Sequence, residues 1–152
     1  MAEQERERIH TSTLMRKLHK TKMIDTFLLQ QESQFEHETF QECLKKHCKA
    51  KNVIAERVIA RAQIVRTYGH QLFNGTRNPS RDKVLQLAIA LGLTVEETQH
   101  LLRCASKSAL YPRIRRDAVI IYALKEHWNM TDVQEALDQY QLTLLGEERR
   151  DG

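Results

Sequence analysis

Residues 72–91, LFNGTRNPSRDKVLQLAIAL, decide the fold of this chain. An apolar pair runs into an Asn-Gly turn signal, and a basic turn then leads to Pro79 and Ser80. Serine caps helix N-termini well, and the residues after it have the apolar spacing of an amphipathic helix. Just upstream, residues 53–73, VIAERVIARAQIVRTYGHQLF, predict two short helices that meet at a tight corner. Together the two stretches predict a helix-turn-helix with a following loop and helix.

The remainder of the chain also favours helices. It has only five Gly and two Pro among 152 residues, and helix-forming residues are abundant. Capping boxes, in which a short polar side chain and an acid three residues later satisfy free backbone N–H groups, occur at residues 39–42, 94–97 and 129–132. Pro112 suits the first turn of a further helix. The predicted helices span residues 39–50, 54–61, 65–73, 80–91, 94–104, 112–127 and 129–140, with two weaker helices before them and a linker at 30–38.

Two segments of the chain resemble each other. Residues 81–102 align without gaps on residues 116–137, at a shift of 35 residues. The identical pairs are Arg81/Arg116, Asp82/Asp117, Val84/Val119, Ala88/Ala123, Gln99/Gln134 and Leu102/Leu137. We interpret the C-terminal helix pair as a second use of the preceding helical hairpin. Within it, residues 118–124, AVIIYAL, are apolar nearly all round, which favours a place in the core, with a homodimer interface as the alternative.

Positive charge is concentrated in one part of the chain. From Lys45 to Lys83 there are ten Lys or Arg against two acids, a local charge of +8, so the rest of the chain carries −4 to give the net +4. A second acid-free basic run lies between Arg103 and Arg116. Such clustering indicates a polyanionic partner, and a solubilising basic face is the alternative.

Residues 39–102 resemble the xenobiotic-response-element (XRE) helix-turn-helix family, whose relatives include the Cro and lambda-type phage repressors. The resemblance rests on Leu72-Phe73-Asn74-Gly75, the basic Thr76-Arg77, Asn78-Pro79-Ser80 and the helix ending LAIALGLTVEE. It implies an all-α, lambda-repressor-like five-helix domain, here extended by an N-terminal helical arm and a C-terminal helical hairpin. The predicted divisions are an arm and linker at 1–38, the helix-turn-helix domain at 39–105, the hairpin at 106–145 and a tail at 146–152.

The resemblance also implies which residues meet DNA. Residues 54–61 and 65–73 correspond to the second helix and the recognition helix. The implied base contacts are Arg66, Thr67, His70 and Gln71. The implied phosphate contacts are Asn74, Thr76, Arg77, Arg81 and Lys83. The chemistry is suitable, since arginine pairs with guanine through two donors, glutamine pairs similarly with adenine, and a threonine methyl suits thymine.

Three residues depart from the family pattern. The tight corner usually holds glycine because it needs positive φ, yet this chain has Gln63. Val65 stands where a polar N-cap is usual. Gly69 replaces an apolar residue inside the recognition helix, where glycine costs about 1 kcal/mol relative to alanine. Either the two helices approach closely at Gly69, or the helix is loosened for another purpose.

Other classes of protein are disfavoured. No apolar run approaches the ~18 residues of a membrane-spanning helix, and the charged N-terminus lacks the apolar segment of a secretory signal. Three cysteines form an odd, unpatterned set, which favours a reducing cytoplasm. Cys43, His47 and Cys48 lie close together, but a zinc site needs four ligands, so we predict no metal. No phosphate loop or nucleophile–base pair is recognisable, so we expect neither a cofactor nor enzymatic activity.

The sequence therefore predicts a cytoplasmic, sequence-specific DNA-binding transcriptional regulator. The resemblance implies an origin in a bacterium, phage or mobile element, and we expect a repressor that binds double-stranded DNA, with a homodimer as a further possibility. The alternative is a helix-turn-helix-fold adaptor, or an antitoxin-type partner, that docks a protein through the C-terminal hairpin or the N-terminal arm. Function resides in a site rather than in a fold, so the outward face of residues 66–71 distinguishes the two.

Overall fold

The structure is a computed structural model that describes residues 9–35 and 38–147. These residues form α-helices and one 3₁₀-helix and contain no strand, which confirms the predicted all-helical class. The helices are α1 (Thr11–Lys20), α2 (Ile24–Gln30), α3 (Phe40–Ala50), α4 (Ala55–Arg61), α5 (Arg66–Asn74), α6 (Arg81–Leu91), α7 (Val95–Cys104), α8 (Arg115–Lys125) and α9 (Met130–Gln139). The chain divides into two compact units, Met1–His37 and Glu38–Gly152. Among the described helices, none combines the length and the apolar character needed to cross a bilayer.

The first unit holds α1, α2 and the 3₁₀-helix Glu32–Gln34. The backbone N–H of Ile9 donates to Oε1 of Gln34 at 2.9 Å. Phe27 is buried, and its ring meets the edge of Phe35 with centroids 6.2 Å apart. The predicted linker at 30–38 thus contains a helical turn, while residues 36 and 37 lie outside the described part, as do 1–8 and the tail beyond 147.

Side-chain caps start several helices of the second unit, as their sequences predict. Thr39, Ser80 and Asn129 each accept a backbone N–H from the residue three positions later. Thr94 and Glu97 form a complete capping box. One predicted start is wrong: Pro112 lies in a turn, and α8 begins only at Arg115, after the uncapped Ile114.

One hydrophobic core joins all seven helices of the second unit. Its fully buried members include Leu44, Leu72, Leu85, Leu101, Ile120 and Leu137. The apolar segment 118–124 contributes Ile120, Ala123 and Leu124 to this core, so its burial is intramolecular. Helix α6 is buried on nearly every side, and Gln86 in it donates to the carbonyl of Ala62 at 2.9 Å. That hydrogen bond links α6 to the residue that follows α4.

Five helices of this unit end on a non-glycine residue with left-handed φ. These residues are Asn52, Gln63, Ser106, His127 and Gln141. Each is followed by an N–H that reaches back to the carbonyl five positions earlier, as Ile64 does to Ile59 at 3.2 Å. This is the Schellman ending, in which glycine is the least strained residue. Gln63 therefore has the positive φ, 58°, that the corner between α4 and α5 requires, without the residue type that adopts it most easily.

Replacing Gln63 with glycine is expected to raise the free energy of unfolding by about 1 kcal/mol, because a left-handed side-chain-bearing residue costs about that much. The mutation also removes a 3.4 Å hydrogen bond from Nε2 of Gln63 to Thr131, which is exposed and contributes little. Thermal and urea unfolding measure the effect. Glu135→Gly, in the exposed middle of α9, is the control and should change stability in the opposite direction. Equal losses in both variants would contradict the strain argument.

Two reciprocal ion pairs join the repeated segments. Arg81 makes two hydrogen bonds to the Asp117 carboxylate at 3.1 and 2.9 Å. Arg116 makes two to the Asp82 carboxylate, both 2.9 Å. Both carboxylates are almost wholly buried. Each arginine of one segment therefore binds the aspartate of the other.

The backbone partners of these groups follow the same 35-residue shift. Arg81 also donates to the carbonyls of residues 108 and 109, and Arg116 donates to those of residues 143 and 144. Asp117 accepts the N–H of Tyr111, as Asp82 accepts that of Gly146. The amide of Gln99 bonds both backbone groups of Leu110, and Gln134 does the same to Leu145. Each of these contacts therefore has a counterpart in the other segment.

This exchange of partners has the pattern of a two-fold related pair, in which each half offers the same surface to the other. Burial alone would raise the pKa of Asp82, but the hydrogen bonds from Arg116 and from the N–H of Gly146 hold that pKa below its ordinary value. The ionised carboxylate is thus part of the folded state, and the pairs fix α6 against α8.

Candidate nucleic-acid interface

Helix α5 has one buried face and one polar, solvent-facing side. Gly69, Leu72 and Phe73 are buried against the core. With 3.6 residues per turn, positions 67, 71 and 74 lie on the opposite side. Thr67 and Asn74 are exposed there, and Gln71 is half-buried. The residues predicted to read bases therefore include the most outward-facing positions of α5.

The glycine in α5 marks a close approach of two helices. A Cβ atom added to Gly69 would lie 2.4, 2.7 and 2.9 Å from three side-chain atoms of Ile59 in α4. Those separations are well inside van der Waals contact. Of the two explanations for Gly69, the structure therefore favours close packing over a loosened helix.

Arg66 begins α5 and is largely exposed. Its side chain has 75 % of its surface open to solvent, and its Nε lies 2.6 Å from Oε1 of Glu56 in α4. Glu56 is itself half-exposed, and a surface pair of this kind contributes about 0–1 kcal/mol. The ion pair therefore holds the Arg66 guanidinium beside α4 at the protein surface.

Arg77, in the loop after α5, is held against that helix by two contacts. Its Nε donates to Oε1 of Gln71 at 3.1 Å, and its guanidinium lies 4.7 Å from the centre of the Tyr68 ring. The Lys83 ammonium lies 5.6 Å from the same ring and is half-buried. Tyr68 thus gathers two cations on one flank of α5.

The turn after α5 is exposed and preorganised. Gly75 has a φ of 84° and ends the helix. The backbone N–H of Thr76 donates to Oδ1 of Asn74 at 2.9 Å, so the Asn74 side chain is hydrogen-bonded to the turn. Thr76 and Arg77 are exposed.

His70 lies on the other flank of α5 and is only half-exposed. Together with Phe73 and Asn74 it lines an open cleft of about 400 Å³, whose other lining residues are Lys45, Cys48 and Ala55. Lys45 begins the basic segment of the sequence but is not among the predicted DNA contacts. Its place beside His70 follows from the packing of α3 on α5, which no local pattern predicts.

Arg81 has a different position from the one expected of a phosphate-binding side chain. Its guanidinium donates to the Asp117 carboxylate and to the carbonyls of residues 108 and 109. Only 24 % of the side chain is exposed. The group is occupied within the protein, so we exclude it from the interface. The family resemblance implied this contact from the position of Arg81 after the recognition helix, and it carries no information on the ion pair with Asp117.

Comparison of the chain with protein-family models, with curated proteins and with solved structures finds no match. The geometry therefore has to carry the functional argument. It provides one short helix with a polar outer side, an exposed arginine at its start, and a second arginine beside its end.

Proposed function

We propose that this protein is a sequence-specific DNA-binding transcriptional regulator, of the helix-turn-helix type seen in XRE-family repressors. In this proposal α4 and α5 form the helix-turn-helix, and α5 enters the major groove. The observation that carries it is the outward polar side of α5 between two exposed arginines, Arg66 and Arg77. Both contact only groups at or near the protein surface, which DNA can replace.

Base recognition falls to the first turns of α5. Arg66 exchanges Glu56 for the O6 and N7 atoms of a guanine, and Thr67 lies one position further on the exposed side. Gln71 follows one turn later. His70, in its cleft, contacts the DNA backbone or bases only at the edge of this surface.

Phosphate contacts fall to the exposed turn after α5. Arg77 and the backbone around Thr76 contact the phosphates of one DNA strand. Lys83, beside the Tyr68 ring, adds positive charge near that contact. Arg81 instead fixes α6 to α8 and so braces the module from within. A single module of this size makes few base contacts, so two copies on a pair of half-sites supply useful affinity.

Selection of duplexes from a random pool, followed by binding measurements over a salt series, tests the proposal. Arg66→Ala is expected to lower the preference for the selected sequence over random DNA by about 5–150-fold, the equivalent of one bidentate base contact worth about 1–3 kcal/mol. Arg77→Ala is expected to weaken binding to every sequence and to reduce the salt slope by about 1.

Lys125→Ala is the matched control. This lysine is exposed on α8, outside the helix-turn-helix, and its removal should leave both sequence preference and salt slope unchanged. If the wild-type chain enriches no sequence from the pool, or if Arg66→Ala retains full preference, the proposal is wrong.

The exposed apolar side chains favour a second candidate, a protein-docking adaptor. Ile54 and Val65, which immediately precede α4 and α5, are 69 % and 74 % exposed. Val65 also suits a thymine methyl in the major groove, so the same side chain serves either role. Paired Ile54→Ser and Val65→Ser variants that keep DNA preference but lose a co-purifying protein would favour the adaptor.

A further inference from the structure

Four potential metal ligands from three parts of the second unit converge at one place. Glu38 precedes α3, Cys43 lies in α3, and His100 and Cys104 lie one turn apart in α7. One ligand atom from each of the four side chains lies within 4.8 Å of all the others. We refer to these four residues as the α3–α7 cluster.

The separations are close to those of a filled metal site. Nε2 of His100 lies 2.8 Å from Oε2 of Glu38 and 3.5 Å from Sγ of Cys104. Around a tetrahedral zinc ion, bond lengths of about 2.0–2.3 Å place neighbouring ligand atoms roughly 3.3–3.8 Å apart. Bringing the ligand atoms of the α3–α7 cluster to these separations therefore needs shifts of about an ångström.

The donor set is also selective. Two sulfur atoms, one imidazole nitrogen and one carboxylate oxygen suit a thiophilic ion such as Zn²⁺ and are poor ligands for Mg²⁺ or Ca²⁺. The His-x₃-Cys spacing of residues 100 and 104 puts two ligands on one side of α7, since positions four apart share a helix face. Cys43 is buried, while the other three residues are half-exposed, so an ion has a route to the cluster from solvent.

Neighbouring cations offset the charge of such a site. Two thiolates, one carboxylate and a divalent ion sum to −1. The ammonium of Lys46 lies 2.9 Å from Oε1 of Glu38, and the Arg103 guanidinium donates to Nδ1 of His100 at 3.3 Å. With Arg103 donating to Nδ1, the imidazole proton lies on Nε2 and is donated to Glu38. An ion at Nε2 displaces that proton to Nδ1, which then no longer accepts the hydrogen bond from Arg103.

We propose that Glu38, Cys43, His100 and Cys104 bind one zinc-class divalent cation that ties the start of α3 to α7. The ion takes the place of the Nε2 proton of His100, which moves to Nδ1, and of the protons of both thiols, which are released to solvent. Burial, with the adjacent Cys104 and Glu38, raises the pKa of the Cys43 thiol to about 12, so metal binding has to offset the cost of ionising that group. The proposal is independent of DNA binding, because it rests on α3, α7 and the residue before α3.

This site is not recognisable when cysteines are grouped by their proximity along the chain. Such grouping brings together Cys43, His47 and Cys48, which lack a fourth ligand. In the structure His47 faces Glu97 at 3.6 Å, and Cys48 lines the cleft beside His70. The signal available in the sequence was the His-x₃-Cys pair at 100 and 104, which needs its partner from α3 to be recognised.

Titration of the reduced full-length chain with Co²⁺ tests the site, with Zn²⁺ as competitor. We expect one equivalent of Co²⁺ to produce thiolate-to-cobalt charge-transfer bands and the intense visible bands of tetrahedral cobalt, both abolished by one equivalent of Zn²⁺. Elemental analysis of the Zn²⁺-loaded protein should give one ion per chain.

Variants separate the α3–α7 cluster from other thiols. Cys104→Ser and His100→Gln should weaken Co²⁺ binding by more than about tenfold, the scale of losing even an outer-sphere partner. Cys48→Ala and His47→Gln are the matched controls on α3 and should retain the wild-type spectrum. Circular dichroism and the melting temperature without metal confirm that each variant is folded.

Three outcomes would overturn the proposal. The first is a wild-type chain that shows no charge-transfer band with Co²⁺ under reducing conditions. The second is a band that survives in Cys104→Ser but disappears in folded Cys48→Ala. The third is a reduced protein that binds neither Co²⁺ nor Zn²⁺ but forms a Cys43–Cys104 disulfide on oxidation, which would make the two thiols a redox pair instead.

Discussion

Asp117→Ala is expected to lower the free energy of unfolding by about 3–5 kcal/mol, the cost of removing one partner from a buried ion pair. The carboxylate is 1 % exposed and receives two hydrogen bonds from Arg81 and one from the N–H of Tyr111. Alanine leaves that N–H unpaired and strands a guanidinium whose side chain is only 24 % exposed. Urea unfolding followed by circular dichroism measures the loss.

Two further variants make this prediction specific to the reciprocal pairs. Asp82→Ala should destabilise the protein by a similar amount, because the Asp82 carboxylate accepts two hydrogen bonds from Arg116 and one from the N–H of Gly146. Asp138→Ala, which removes an exposed carboxylate from α9, should change stability by less than about 0.5 kcal/mol. A loss below about 1 kcal/mol in both buried variants would show that the pairs are incidental to the fold.

Replacing both members of one pair distinguishes charge burial from packing. The double variant Arg81→Met with Asp117→Leu removes the stranded charge that either single change leaves. Buried ion pairs exchanged for apolar side chains of similar size are often neutral in stability. The double variant should therefore be more stable than Asp117→Ala, although the N–H of Tyr111 remains unpaired.

The helices were predictable from the sequence because their ends are chemically marked. Thr39, Ser80, Thr94 and Asn129 satisfy the first free N–H groups locally, so each start depends on residues within four positions. Where no side chain caps the helix, as at Ile114, the prediction placed the start three residues early at Pro112. Local signals predict local structure.

Partner choice was not predictable in the same way. The 35-residue alignment matched Arg81 to Arg116 and Asp82 to Asp117, yet gave no sign that the pairs exchange partners across the two segments. The family resemblance therefore placed Arg81 among the phosphate contacts, although its guanidinium is bound to Asp117. The same limit hid the α3–α7 cluster, since Cys43 and His100 are 57 residues apart in the chain. Both features need the packing of helices that are distant in sequence.

Gly69→Ala should destabilise the protein by about 1–3 kcal/mol, the cost of overpacking, even though alanine is the better helix former by about 1 kcal/mol. The added Cβ would lie within 3 Å of three side-chain atoms of Ile59, and Ile59 is only 2 % exposed. Relief requires α5 to move away from α4 or Ile59 to leave its rotamer.

The sign of the effect should reverse when Ile59 is truncated. Ile59→Ala alone costs about 2–5 kcal/mol, because it leaves a cavity. In that background the three atoms that oppose the new Cβ are gone, so Gly69→Ala fills space, gains helix propensity and should be neutral or stabilising. The four proteins of this cycle give the coupling energy directly. If Gly69→Ala costs the same in both backgrounds, the contact with Ile59 does not explain the glycine.

The same cycle links packing to the proposed function. Any shift of α5 relative to α4 moves Arg66 away from Glu56 and changes the angle at which Thr67 and Gln71 face outward. A folded Gly69→Ala protein should therefore lose sequence preference among duplexes more than it loses general DNA affinity, because phosphate contacts tolerate small displacements better than paired base contacts do. The Ile59→Ala, Gly69→Ala double variant should recover part of that preference. If the double variant recovers stability but not its preference among DNA sequences, residues outside α5 read the bases.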